Sequence, residues 1–512
     1  MSSVCIHIFR RDYRLDDNTT LIEACKTHDI VIPIFIFTEK QISKSLNPYR
    51  GDNCVQFLCE SLKDLDNQLK HNHSQLYIFY VKNAKSSFNE LPLLETFIKL
   101  IPNLKTISFN MDYTKYSQER DKAISDLANS NNIKCLTLDD ICLNPIGSVV
   151  TGSGKPYTKY TPYWRASSKK DIRKPIKNNF TNYLTNKTHI DKANLENILT
   201  HKVISNGIGK SNKTTQILSI EDIMKPEGII LNTINKNLPE NGGRENGLSI
   251  LNNMKEWKDY DEKRDTLAYN TTHLSPFNKF GCVSIREVYW TIINKFNLKK
   301  ESDHALLRQL FWRDFFYNLS HFYPETYKEK ALNPKYRNIK WATDASSNVK
   351  FKAWCEGKTG YPIVDACMRE INTNGYMHNR GRLIVSNFLC RILQIDWRKG
   401  EMYFATKLYD YDPAQNNFGW QVSGSNSSGT TSRPLSQTIM SPWVQGVNFD
   451  NKGVYIKKWC PELESVESSH LHKWDQFCDM YIKEKGVKYI KPIVDFNIEK
   501  TKSMKLYTKY LA

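Results

Sequence analysis

Short apolar runs at Val4–Phe9 and at 30–37, 76–81, 106–109 and 135–138 punctuate the first 140 residues. Between them apolar positions return at helical intervals; Val55, Leu58, Leu62, Leu65 and Leu69 step by three and four. Strand–helix alternation of this kind leaves few architectures open, the simplest being a parallel sheet with helices on both faces. The expected fold is therefore a Rossmann-like α/β domain over residues 1–140. No G-x-G-x-x-G follows the first run, where Phe9-Arg10-Arg11-Asp12-Tyr13-Arg14 stands, so a conventional dinucleotide site is not expected there.

Beyond residue 140 the pattern changes. Residues 141–256 read as an inter-domain linker, with an Asn-, Lys-, Ser- and Thr-rich insertion over 186–253 that carries Gly242-Gly243. Residues 257–512 read as one all-helical domain, because apolar spacing over 304–322 and 362–393 is helical and β-branched alternation is scarce. Lys and Arg number 72 against 54 Asp and Glu, a net charge of +18, which favours a polyanionic partner. The longest apolar stretch is far below the roughly 20 residues that span a bilayer, and the N-terminus lacks a signal-peptide pattern. Twelve cysteines without a C-x-x-C pair fit reduced thiols, so an intracellular site in cytoplasm or nucleus is expected, with no membrane and no metal.

Four segments carry chemistry. Tyr260 and Arg264 precede Thr271-Thr272-His273-Leu274-Ser275, whose hydroxyls before a helix suit a phosphate, although capping alone would explain them. On a helix, Gln309, Trp312, Arg313 and Phe316 share one face, a poor core but a suitable wall for a flat ligand. Gly357-Lys358-Thr359 is not a P-loop, since the upstream Gly and strand are missing; the polar run Met377-His378-Asn379-Arg380-Gly381-Arg382 beyond it needs partners. Asp410-Tyr411-Asp412-Pro413 lacks the Gly and distal Glu of a calcium loop, and Asp410 is expected to be held by an arginine such as Arg382.

Taken together, F-R-R-D-Y-R-L-D-D-N, W-R-D-F-F, E-G-K-T-G-Y-P-I-V-D-A-C-M-R, M-H-N-R, I-D-W-R and N-N-x-G-W-Q, in this order, resemble the photolyase/cryptochrome flavoprotein family. The likeness is greatest to its class I cyclobutane pyrimidine dimer photolyases and covers most of the chain. It implies an N-terminal α/β domain, a long linker and a C-terminal helical domain that binds FAD. By motif position Tyr260, Thr271, Thr272, Leu274 and Ser275 would hold the phosphates and ribityl chain. Arg382 and Asp410 would pair beside the isoalloxazine, Asp412 would accept from the ring system or adenine side, and Asn416 would face flavin N5. Trp420, Trp397 and Trp341 fall where the family has its electron relay.

The resemblance also implies UV-damaged DNA as partner, a monomeric enzyme, and light-driven splitting of a dimer flipped from the duplex. Arg264 and Arg380 would grip flanking phosphates, Trp312 would stack on the dimer, and Asn379 would touch dimer and flavin; Arg313 and Gln445 would join the DNA face. Gln309, where the family has Glu, would serve cofactor and dimer. Val422 replaces a second Trp of the dimer pocket and Leu383 replaces a Met; whether Trp443 fills the missing wall is open at the level of sequence. A (6-4) photolyase and a signalling cryptochrome are the alternatives; the first places a His where Asn379 stands, the second usually adds a long C-terminal tail. An antenna pigment, methenyltetrahydrofolate or 8-hydroxy-deazaflavin, is implied near Gln118 and Glu119.

Overall fold

A computed structural model of the chain describes residues 2–82, 88–184, 215–299, 304–328, 330–424 and 438–511. Strands β1 (Val4–Phe9), β2 (Ile30–Thr38), β3 (Tyr77–Val81), β4 (Leu104–Asn110) and β5 (Lys134–Leu138) pair in parallel. With β6 at Thr215–Leu218, the sheet order is β5-β4-β1-β2-β3-β6. Every residue of β1, β2 and β3 is buried, as both-face coverage of a parallel sheet requires. Isoleucines such as Ile6, Ile8 and Ile34 point to one face and meet Leu93 and Phe97 of α3 (Glu90–Leu100) and Ile124 of α4 (Lys115–Ser130). Two earlier helices, α1 (Thr19–Thr27) and α2 (Asp52–His71), precede them in the chain.

The opposite face joins the two halves. Phe9, Phe35 and Phe37 pack on Phe57, Leu62 and Leu65 of α2, and the same apolar cluster continues into Phe277, Val288 and Phe311 of the helical half. One core therefore spans both halves, with α2 as the shared helix.

The region 141–256 contributes more than a linker. Thr215–Leu218 forms β6, which runs antiparallel along β3 and pairs Leu218 with Ile78, covering an edge whose backbone groups would otherwise lie open. A helix over Arg244–Asn252 sends Ile250 and Leu251 into the core beside α2. The insertion up to residue 214 lies outside the described residues from 185 onward.

The connecting segment adds α5 (Tyr160–Ser167), and the helical half is built from α6 (Ala305–Phe322), α7 (Pro362–Asn374), α8 (Asn379–Asn387), α9 (Trp397–Lys407), α10 (Pro413–Ser423) and α11 (Pro442–Phe449), among others. Its own core holds Trp354, Met368, Ile371, Phe388, Trp397, Trp420 and Trp474. Local sequence sets the helix starts. His378 caps α8 by accepting from the Arg380 N–H, and Asp412 caps α10 ahead of Pro413 at its first position. Gly375 ends α7 at φ 67°, where a Cβ would come within 2.5 Å of the Asn53 amide, so only glycine turns the chain into the His378 cap.

Strand order reverses between β1 and β4, and an open α/β sheet ordinarily takes its ligand in the crevice at such a point. Here the helical half occupies it. Arg11, just past β1, and Tyr113, just past β4, both reach the carboxylate of Asp412. Among the described residues no helix is long and apolar enough to cross a membrane.

Candidate functional site

A cavity of about 560 Å³ opens within the helical half, a volume usual for a cofactor site. Of the sequence-predicted residues, Tyr260, Arg264, Thr271, Thr272, Leu274 and Ser275 line it from the segment before α6. Gln309, Trp312 and Arg313 line it from α6, and Asn379, Arg380 and Arg382 from the first turn of α8. Asp410, Asp412, Asn416 and Trp420 complete the wall. Trp397, Trp341 and Gln445 are not among the lining residues.

Inside, Arg382 Nη2 meets both carboxylate oxygens of Asp410 at 2.9 and 3.2 Å, while its Nε donates to the Met377 carbonyl. Ser275 donates its hydroxyl to Asp410 at 2.7 Å. Burial works against the Arg382 charge, but Asp410 and Tyr376 beside it outweigh that and hold its pKa above the usual value. Thr271 and Tyr376 share a hydroxyl–hydroxyl bond of 2.9 Å. Asn416 donates to the Glu401 carbonyl and carboxylate at 2.9 and 3.1 Å, which fixes its amide plane at the cavity wall. Sequence reasoning missed His273 and Lys279. His273 is pushed down to about 4 by burial, so a neutral imidazole lines the cavity at pH 7. Lys279 is lowered by burial and then by Arg11; its position four residues past Ser275 carries no signal of its own.

Two lining residues are also tied into the protein around them. Asp412 was expected to accept from a ligand, yet five protein donors saturate it: Arg11 at 2.6 Å, Tyr113 at 2.9 Å, Tyr317 at 2.7 Å, and the Ala414 and Gln415 N–H groups. It is a cap and an inter-domain tie. Burial would raise its pKa, but Arg11 and Lys279 dominate and bring it to about 2. Arg313 was expected on a DNA face; its guanidinium instead donates to the Ile141 and Asn278 carbonyls and lies over Tyr317. It sits at the edge of its helix stripe and turns inward to the linker.

At the mouth, Asn379 is exposed at the first position of α8. Arg380 is ion-paired with Asp265 at 2.7 Å and stacked over Phe449, so its charge is shared rather than displayed alone. His378 accepts the Arg380 N–H through Nδ1 and is held down to about 4 by burial, which makes it a structural cap. Trp312 is stacked on Tyr160 of α5, with ring centroids 3.7 Å apart and planes 6° apart. Trp443 stacks on Tyr361 at 4.7 Å and belongs to the second core, so it does not replace the wall missing at Val422.

Trp420 is 2% exposed and meets Phe404 at 5.0 Å and Trp354 at 6.0 Å, a neighbour that sequence reasoning did not single out. Trp397 starts α9 and lines a second cleft of about 270 Å³; Trp341, half-buried, meets Tyr507 at 6.1 Å. Gln445 lies on α11. On α4, Gln118 and Glu119 are both exposed; Gln118 donates to the Tyr113 carbonyl and Glu119 pairs with Lys115.

Comparison with known proteins matches residues 306–509 to the FAD binding domain of DNA photolyase and residues 5–179 to the DNA photolyase domain. A deoxyribodipyrimidine photo-lyase of Vibrio cholerae is 31% identical, covering 98% of this chain and 98% of its own. Among solved structures, an archaeal photolyase from Sulfolobus tokodaii with two FAD molecules superposes with a TM-score of 0.77 at 31% identity, over 99% of this chain and 100% of the other. A class III photolyase from Agrobacterium tumefaciens gives 0.79 at 28% identity, over 100% and 98%.

The cavity's chemistry fits FAD. Among the described residues, four that line it bury polar atoms without a protein partner: Trp420 Nε1, Asn278 Oδ1, His378 Nε2 and Arg380 Nε, a mixture of donors and acceptors that a heterocycle with amides can satisfy. Thr271, Thr272 and Lys279 offer hydroxyls and a cation suited to a pyrophosphate, and Val288, Ile292, Leu306 and Leu310 offer an apolar floor.

Proposed function

The chain belongs to the DNA photolyase family, and from that premise we propose that this FAD-dependent photo-lyase splits cyclobutane pyrimidine dimers in UV-damaged DNA. Within the family we read it as nearest the class I enzymes of that specificity. Bound reduced FAD supplies, on absorbing blue light, the electron that opens the cyclobutane ring and receives it back.

The protein's own residues supply placement. Arg382, locked by Asp410 and the Met377 carbonyl, orients the flavin ring system, and Asn416, locked by Glu401, holds an amide against it. Thr271 and Thr272 bind the phosphates, Ser275 braces Asp410 beside them, and Tyr260 and Leu274 close the adjoining wall. Trp420, backed by Trp397 and Trp341, is read as the route by which oxidised flavin is re-reduced. Arg264 and Arg380 flank the mouth for phosphate contact, and Gln309, Trp312 and Asn379 receive the flipped dimer. An antenna pigment remains part of the reading, with no pigment class favoured by Gln118 and Glu119.

One observation carries the choice of lesion. The first turn of α8 offers Asn379, a neutral amide, at the mouth, while the adjacent His378 caps the helix through Nδ1 and is held neutral down to about 4. Among the described residues the mouth thus has no imidazolium to donate a proton, which favours the dimer over the (6-4) product. Illuminating reduced protein with oligonucleotides that carry each lesion separately tests this. Conversion of the dimer alone is expected; conversion of the (6-4) product alone overturns the reading.

A further inference from the structure

Trp312 has two ring faces. Among the described residues Tyr160 covers one of them in a near-parallel stack, centroids 3.7 Å and planes 6° apart. Tyr160 comes from the first residue of α5, in the segment between the two halves, and does not line the cavity; Trp312 does. The Tyr160 hydroxyl donates to the Arg308 carbonyl at 2.9 Å, one turn before Trp312 on α6, so ring and backbone are pinned together. Phe315 closes the end of the pair edge-on, 5.9 Å from Tyr160 and 5.8 Å from Trp312.

We propose that Tyr160 is a positioning residue for lesion recognition: it props the Trp312 indole so that its other face is a rigid stacking platform at the cavity mouth. The platform needs a prop here because Val422 stands where the family's dimer pocket has a second Trp. Val422 presents a small side chain to the cavity, and Trp443 is engaged with Tyr361 in another core. A flipped dimer therefore meets one indole rather than two. With one indole, affinity depends on how much rotamer freedom that indole loses on binding, and a face-to-face partner plus a hydroxyl anchor removes that freedom in advance. Tyr160 touches neither cofactor nor lesion; it acts through Trp312.

The proposal rests on the repair reading above, and the two fail differently. The test measures binding of holoprotein to oligonucleotides with a thymine dimer, a (6-4) product or no lesion, with flavin absorbance and thermal midpoint recorded for each variant. Tyr160→Leu, which removes stack and anchor, is expected to lose about tenfold in preference for damaged over undamaged DNA. Tyr160→Phe, which keeps the stack, is expected to lose about twofold to threefold, and both keep their flavin. In a Trp312→Ala background Tyr160→Leu is expected to cost nothing further. Should Tyr160→Leu shed flavin, Tyr160→Phe decides, and lesion preference equal to wild type overturns the proposal. Wild-type preference in Tyr160→Leu, or an equal loss with Trp312 absent, overturns this proposal alone. A wild type that prefers neither lesion overturns the repair reading and this proposal together.

Discussion

Replacing Asp412 by asparagine tests how the two halves are held. The carboxylate is 3% exposed and takes five donors from four parts of the chain: Arg11, Tyr113, Tyr317 and the first turn of α10. Its pKa falls from the ordinary 3.8 to about 2. At about 1.36 kcal/mol per unit that displacement is worth about 2 kcal/mol in favour of the charged form. The asparagine side chain would also turn an N–H₂ toward donors, so a loss of about 3 kcal/mol is expected for Asp412→Asn at pH 7. The sign with pH follows from the depressed value. The contribution is full above the unfolded-state value near 4 and is lost as pH falls through about 2. Urea unfolding of wild type and variant, followed by far-UV dichroism and flavin absorbance, should therefore show a gap that is widest at neutral pH and closes toward pH 2. Because α10 carries Asn416 and Trp420, flavin release should accompany the loss. A gap below about 1 kcal/mol at pH 7, or one unchanged at pH 2, would refute the reasoning.

Other expectations follow the same geometry. Trp420→Phe should slow photoreduction of oxidised flavin, read by flavin absorbance under steady light, and leave dimer splitting by pre-reduced enzyme near wild type; loss of splitting would assign Trp420 to the pocket instead. Asn379→Ala should cut dimer repair up to about tenfold at unchanged flavin content, since one neutral hydrogen bond is removed. Glu370 is buried beneath the His378 cap, accepts from the His378 N–H and the Tyr455 hydroxyl, and is raised by burial from 4.5 to about 7. A raised acid favours the folded state below its unfolded value, and that advantage is lost as pH rises through 7. Glu370→Gln should accordingly flatten the decline in stability between about pH 4.5 and 7, by roughly 3 kcal/mol in unfolding free energy.

The α/β half was legible because its signal is local: β1 and β2, buried on both faces, read as short continuous apolar runs set between stretches of helical spacing. β6 was not, since Thr-Gln-Ile-Leu is four residues of ordinary composition and its pairing with β3 lies more than 130 residues away. At the site, Arg382 with Asp410 was readable as a charged pair in helical text with no other use. The tie that Asp412 makes was not legible, although Asp-Pro before a helix is a capping signal, because it depends on Arg11 and Tyr113, which sequence spacing cannot bring near. Arg313 shares the stripe of Trp312, but a carbonyl from Ile141 decides which way it turns. Tyr160 gave no signal at all, because a stack across two helices leaves none in either.

The central claim is that a flavin in the cavity beside Arg382 and Asp410 uses light to open a pyrimidine dimer at the mouth. Its most direct measurement is the fate of a single thymine dimer in an oligonucleotide mixed with pre-reduced protein, halved into a sample under blue light and one kept dark. Restored thymines in the lit half and intact dimer in the dark half are predicted. Intact dimer in both, with one reduced flavin bound per chain and the DNA bound, would contradict it.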